Sequence, residues 1–202
     1  MTRIFLIRHG ETEWNKLKRL QGNSNVNLSP EGIRQARLLA AHAPISHVDA
    51  IYSSDLARAI STAEILSAHF GVSVRPMIEL RETNFGDWEG KSIRELAMEC
   101  PDDFGKFFTA PEMCTPPRGE TFLQCQARVI NALYRIIAEH DEQNVIIVSH
   151  GAVIRLILCA ALGMPIQKMW AIAQFNMALN ILRVDEGNFT VELLNGTAHL
   201  NL

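Results

Sequence analysis

Ile4-Phe5-Leu6-Ile7-Arg8-His9-Gly10 and Val145-Ile146-Ile147-Val148-Ser149-His150-Gly151 repeat one pattern: four apolar residues, one polar residue, then His-Gly. Apolar runs of this length suit strands buried on both faces of a parallel sheet. In open α/β sheets, ligands bind beyond the carboxyl ends of the strands. If the two runs are neighbouring strands, a spacing of about 4.8 Å brings both imidazoles to one small site. Glycine after each histidine lets the backbone turn sharply and approach a ligand.

Working outward, Val48-Asp49-Ala50-Ile51-Tyr52 reads as a third such strand, and helical patterns lie between the strands. Ser29-Pro30-Glu31 supplies a cap, a first-turn proline and an early acid, followed by Ile33, Ala36, Leu39, Ala40 and Ala43 at helical spacing. Asp55 is placed to cap a helix running to about Phe70, with Ala59, Ile60, Ala63 and Leu66 as its buried stripe. A further helix is predicted from about Glu120 to Glu139, where Cys125, Val129, Ala132, Leu133, Ile136 and Ile137 share a face, and another follows Gly151. Met177 to Val184 and Phe189 to Leu194 read as two strands around a turn. The alternation predicts an α/β fold with a doubly wound, mostly parallel sheet.

Two segments fit neither pattern. Gly10 to Leu28 carries Lys16, Lys18 and Arg19 without a clear period, and Cys100 to Gly119 mixes prolines with Phe104, Phe107, Phe108 and Met113. Both are read as long loops, which in compact domains are usually functional. The phenylalanines serve either core packing or a substrate pocket.

The 202 residues, 48% apolar and 20% charged, match one globular domain spanning 1–202. A formal net charge of -3 lacks the basic excess that nucleic-acid binding needs. No apolar stretch approaches membrane-spanning length and no signal peptide is evident, so no membrane partner and a cytoplasmic location are expected. Cys100, Cys114, Cys125 and Cys159 are widely spaced and are expected to be free thiols. An edge strand able to pair between subunits leaves a homodimer open.

Gly151 opens a helix whose N-terminal amides and dipole favour an anion. Arg8 adds a planar fork suited to phosphate oxygens, and Arg58, on the first turn after Asp55, can reach back over the same sheet edge. Two arginines, two histidines and a helix N-terminus describe a phosphoryl pocket. The other histidines, His42, His47, His69, His140 and His199, are read as structural or surface groups.

The run Leu6-Ile7-Arg8-His9-Gly10-Glu11-Thr12-Glu13-Trp14-Asn15 resembles the signature of the histidine phosphatase superfamily, which includes the cofactor-dependent phosphoglycerate mutases. The resemblance continues through Leu28-Ser29-Pro30-Glu31-Gly32, Tyr52-Ser53-Ser54-Asp55-Leu56-Ala57-Arg58-Ala59, Leu80-Arg81-Glu82 with Phe85-Gly86-Asp87-Trp88-Glu89-Gly90, and Val148-Ser149-His150-Gly151. It implies a three-layer α/β/α sandwich with a phosphoglycerate mutase-like sheet. It also implies that His9 accepts the phosphoryl group, that Arg8, Arg58 and His150 hold the phosphate, and that Glu82 donates and accepts the proton. Asn15, Gln21 and Gly22 match positions that line the phosphate and substrate site. Pro117-Arg118-Gly119-Glu120-Thr121 departs from the two glycines and a serine of many relatives, which puts the usual substrate contacts there in question.

The implied chemistry is attack of a neutral imidazole on phosphorus, followed by hydrolysis of the phosphohistidine. Glu79 and Asp87 compete with Glu82 for the acid's role. The substrate is expected to be a small phosphorylated metabolite, with no cofactor and no metal: H-E-x-x-H spacing and the G-x-x-x-x-G-K-[ST] loop are absent, and no cysteine is followed six positions later by arginine. A mutase returning the phosphoryl group to substrate is the alternative, and a silent phospho-ligand binding module is a third reading. Within the phosphatases the chain resembles the alpha-ribazole and the metal-independent phosphoserine enzymes, the latter extending to Trp170, Phe175-Asn176 and His199-Leu200.

Overall fold

The computed structural model describes residues 1–201. A six-stranded sheet runs in the order β3-β2-β4-β1-β5-β6. Its strands are β1 (Thr2–Arg8), β2 (Ala50–Ser53), β3 (Val74–Pro76), β4 (Asn144–Ser149), β5 (Leu179–Asp185) and β6 (Asn188–Gly196). Strands β3, β2, β4 and β1 are parallel, and β5 and β6 close the sheet as an antiparallel hairpin. The helices are α1 (Glu13–Lys16), α2 (Pro30–His42), α3 (Ala57–Phe70), α4 (Ile93–Glu99), α5 (Pro101–Thr109), α6 (Phe122–Glu139) and α7 (Gly151–Ala161).

Alternation along the strands divides the core in two, as a pleated strand must. Phe5, Ile7, Ile51, Ile146 and Val148 face α2 and α3, packing on Leu39, Ala63 and Leu66. Ile4, Leu6, Ala50, Val145 and Ile147 face the other way, onto Val129, Leu133, Val153 and Ile157 of α6 and α7. The result is the expected three-layer α/β/α sandwich.

Local chemistry explains most helix starts. Ser29 accepts the Gly32 amide at 3.1 Å ahead of α2, with Pro30 in the first turn. Thr121 and Gln124 form a reciprocal capping box, so α6 begins at Phe122, two residues after the expected Glu120. Asp55, by contrast, does not cap α3. It forms a two-point ion pair with Arg81 at 2.7 and 2.6 Å, which outcompetes a cap. Leu56 occupies the cap position, and Asn25, far away in sequence, accepts the Ala57 amide at 2.7 Å.

The reading of Cys100 to Gly119 as a loop is also corrected. Pro101 sits at the first turn of α5, and Phe104, Phe107 and Phe108 fall at i, i+3 and i+4, the spacing of one helical face. Two short helices meet at Cys100, where the proline cannot continue α4. The segment from Gly10 to Leu28 likewise contains α1, started by a Thr12–Asn15 capping box. No helix among the described residues is long and apolar enough to cross a membrane, and all four cysteines are free.

Candidate active site

Pairing of β1 with β4 sets Arg8 opposite Ser149, so His9 and His150 leave the sheet side by side. The His9 amide donates to Ser149 O at 3.0 Å, and the imidazole centres stand 5.1 Å apart with planes tilted by 58°. Both rings are buried. His9 Nδ1 lies 2.7 Å from Gly10 O. A carbonyl oxygen only accepts, so Nδ1 carries the hydrogen and Nε2 keeps its lone pair when the ring is neutral. Neither nitrogen of His150 has a hydrogen-bond partner among the described residues.

Burial, then the charges of Arg58 and Arg8, hold His9 well below the usual histidine range. His150 is lowered in the same way, by burial, Arg58, His9, Arg8 and Arg128. The arginines feel the converse cost: burial lowers both Arg8 and Arg58 to about 10. Arg8 is held by Nη1 donating to Gln174 O at 2.5 Å. Arg58, fully buried, donates through Nη1 to Ser24 O at 2.8 Å and through Nη2 to Gly22 O at 2.7 Å. The Nε atoms of both arginines are buried and unpartnered among the described residues.

Gly22 therefore matters through its carbonyl. It has φ +50, and a Cβ there would meet the Glu89 carboxylate at 2.0 Å, so only glycine fits. Asn15 Oδ1 accepts from the Thr12 amide at 3.0 Å and from Asn176 Nδ2 at 3.2 Å. Its oxygen is thus engaged on the protein side, which leaves its amide nitrogen as the donor available to a ligand.

Arg8, His9, Asn15, Gln21, Gly22, Arg58, Glu82 and Gly151 line one cleft of about 190 Å³, and His150 lies fully buried beside His9. Eight of the nine residues singled out from the sequence line this cleft, and the ninth, His150, packs against one of them. Glu79 and Asp87 do not: each is held by an arginine elsewhere, Arg135 and Arg118 respectively. Arg118 itself points away into solvent. His42, His47 and His69 are exposed, while His140 and His199 are buried outside the cleft.

Two expectations need correction. Gly10 faces no ligand, because a Cβ there would lie 2.6 Å from Gly32 O; the glycine lets the N-terminus of α2 pack against the His9 loop. The N-terminal amides of α7 are not all open to an anion either. Glu82 Oε2 accepts from Ala152 N at 3.2 Å and Oε1 from Val153 N at 3.3 Å, while Oε1 also takes the Thr83 amide at 2.9 Å. The helix end holds the carboxylate in place.

Sequence reasoning missed Arg155, and it left a pocket role for Phe107 and Phe108 open against core packing. Arg155 follows His150 by five residues, one helical turn beyond Gly151, and that spacing was the available signal. Phe107 packs on Trp170 at 4.7 Å and is core while also lining the cleft, Phe108 lines the cleft, and Phe104 is core alone. Among the described residues no cluster of His, Cys, Asp or Glu is grouped to hold a metal ion.

Buried cations and paired imidazoles beyond parallel strands make this the site of an α/β enzyme that handles an anion. Residues 4–197 match the model of the histidine phosphatase superfamily (branch 1). Phosphoserine phosphatase 1 of Hydrogenobacter thermophilus is 32% identical over 99% of this chain and 95% of its own. The adenosylcobalamin/alpha-ribazole phosphatase of Salmonella typhimurium is 33% identical, covering 97% of each chain. The solved structure of Bacillus stearothermophilus YhfR superposes with a TM-score of 0.94 at 33% identity, covering 99% of this chain and 100% of that one. The chain belongs to the histidine phosphatase superfamily, and with it to the phosphoric monoester hydrolases.

Proposed function

We propose that the protein hydrolyses phosphomonoesters of small metabolites in two steps, through a phosphohistidine on His9. The observation that carries this reading is the state of His9: Nδ1 is tied to Gly10 O, and burial beside two arginines disfavours its protonation. Nε2 is then a lone pair set among donors. It attacks phosphorus in line, forming the N–P bond as the P–O bond to the alcohol breaks. Arg8, Arg58, Asn15 and His150 share the charge on the three peripheral oxygens. Glu82 gives its proton to the leaving alkoxide and, as carboxylate, takes one from the water that cleaves the N–P bond. Relatives named for phosphoserine and for alpha-ribazole support a small phosphorylated substrate. Four free thiols suit a reducing compartment such as the cytoplasm.

The test is His9→Ala. Turnover of phosphomonoesters should vanish, together with the acid-labile phosphate label that the wild-type protein acquires during turnover; full activity in the variant sinks the mechanism. Similarity to a probable phosphoglycerate mutase of Yersinia pestis, 30% identical over the whole of this chain, gives the alternative its footing. Mutase activity dependent on 2,3-bisphosphoglycerate and exceeding phosphate release would overturn the hydrolase reading.

A further inference from the structure

Arg155 is a cation in the cleft that no carboxylate of the described residues touches. Like other long helical side chains it leans back toward the start of its helix. There its Nη1 lies 3.2 Å, and the Nε of Arg8 3.4 Å, from the point a Cβ on Gly151 would occupy. The two guanidinium groups thus flank one glycine on the same cleft wall. Only neutral partners hold Arg155: Nε donates to Ile172 O at 2.8 Å, Nη1 to Gly151 O at 3.0 Å, and the group stands 5.1 Å from the Trp170 ring centre. Arg81 and Arg128 each have a carboxylate, on Asp55 and Glu120. Arg155 forms no ion pair among the described residues, and its Nη2 has no hydrogen-bond partner there. Burial depresses its pKa, and the Glu82 charge across the cleft offsets only part of that cost.

We infer that Arg155 receives a second anionic group of the substrate, so that the favoured substrates are phosphomonoesters whose alcohol carries a carboxylate or further phosphate close to the ester oxygen. This rests on the phosphatase reading above. Because Arg8 and Arg155 stand side by side, one small molecule reaches both with its two anions. Two carbonyls and an indole already orient the fork, so little side-chain freedom is lost on binding. Phe107 and Phe108, which also line the cleft, offer such an anion no donor side chain.

The experiment compares kcat/KM within two pairs that differ only in the second anion. These are phosphoserine against phosphoethanolamine, and propane-1,3-diyl bisphosphate against 3-hydroxypropyl phosphate. Each is run on the wild type, Arg155→Met and Arg155→Lys. The wild type should prefer the acidic member of at least one pair by about ten- to a hundredfold, the worth of a hydrogen bond to a charged group. The pair that shows the preference identifies the anion. Arg155→Met should collapse that ratio toward one, chiefly through KM, and Arg155→Lys should retain part of it. Equal rates within both pairs in the wild type, or a Met variant that slows both members alike, overturns the inference. If Arg155→Met does not fold, the wild-type ratios and the Lys variant decide. Failure of the wild type to release phosphate from these esters and from p-nitrophenyl phosphate would instead sink the phosphatase reading itself.

Discussion

Replacing Arg58 by Met separates what this buried guanidinium does for binding from what it does for folding. Burial brings its pKa down from the usual guanidinium range to about 10 on folding, so keeping it charged at neutral pH costs about 3 kcal/mol. The sign follows from proton linkage: a base with a depressed pKa destabilises the fold at every pH below that value, and the loss is relieved as pH rises above it toward the unfolded guanidinium's own range. Against this stand its two hydrogen bonds, to Gly22 O and Ser24 O, worth about 1.5 to 3 kcal/mol each. Met keeps most of the buried volume and removes both terms, leaving a net loss of about 0 to 3 kcal/mol. Turnover has no such compensation and should fall about a hundred- to a thousandfold. Urea denaturation with and without inorganic phosphate, alongside kcat/KM on p-nitrophenyl phosphate, reads both quantities. Phosphate at a hundred times its dissociation constant should stabilise the wild type by about 2.7 kcal/mol and the variant by far less. A variant that loses more than about 4 kcal/mol yet keeps the phosphate-dependent gain would make Arg58 a structural residue and refute this account.

Glu82→Gln should slow alkyl phosphate turnover about a hundredfold or more, and aryl phosphate turnover much less, since only the alkoxide needs a proton to leave; equal slowing on both assigns Glu82 to positioning alone. Gly10→Ala forces a methyl group to within 2.6 Å of Gly32 O and should cost about 1 to 3 kcal/mol in urea unfolding, whereas an unchanged midpoint would show that the α2 contact yields freely. His9 and His150 both have folded pKa values below 6.5, so below that pH the unfolded chain takes up protons the fold refuses. Stability held above about pH 6.5 should decline as pH falls, less steeply in His150→Gln, and kcat/KM should stay high through pH 6.5 because His9 is still neutral. An acid limb centred at or above 6.5 would contradict the assigned state of His9.

The parts of this molecule legible in the sequence are those where local pattern and tertiary demand agree. Apolar runs at β1, β2 and β4 have one stable use in an α/β chain, and two strand-His-Gly repeats had to converge once those strands paired. Strand β3 was missed because Val74–Pro76 is three residues long and only its neighbour makes it a strand. Asp55 failed as a cap for a nonlocal reason, since Arg81 lies 26 residues away and no local rule weighs that ion pair against an amide. Prolines in the region from Cys100 to Gly119 suggested a loop, although Pro101 is tolerated at a first helical turn and the phenylalanine spacing carried the helix. Arg155 went unread because an arginine on a helix is usually solvated; that this one lacks an acid emerges only from the fold.

The electrostatics of the cleft form a single circuit. Burial, with Arg58 and Arg8 adding to it, lowers the pKa of both histidines, which in the proposed mechanism keeps His9 nucleophilic and leaves neutral His150 one ring N–H to donate. A bound phosphate dianion neutralises the same arginines and reverses their effect on the ring that does not react, so His150 becomes more basic as the substrate arrives. The two imidazoles thus begin alike and diverge on binding. In the proposed mechanism one forms the bond to phosphorus, and the other gains a proton's worth of charge toward the oxygens of the transition state. An anion too weakly charged to offset both guanidiniums leaves His150 neutral, so monoanionic analogues should lose in kcat as well as in KM.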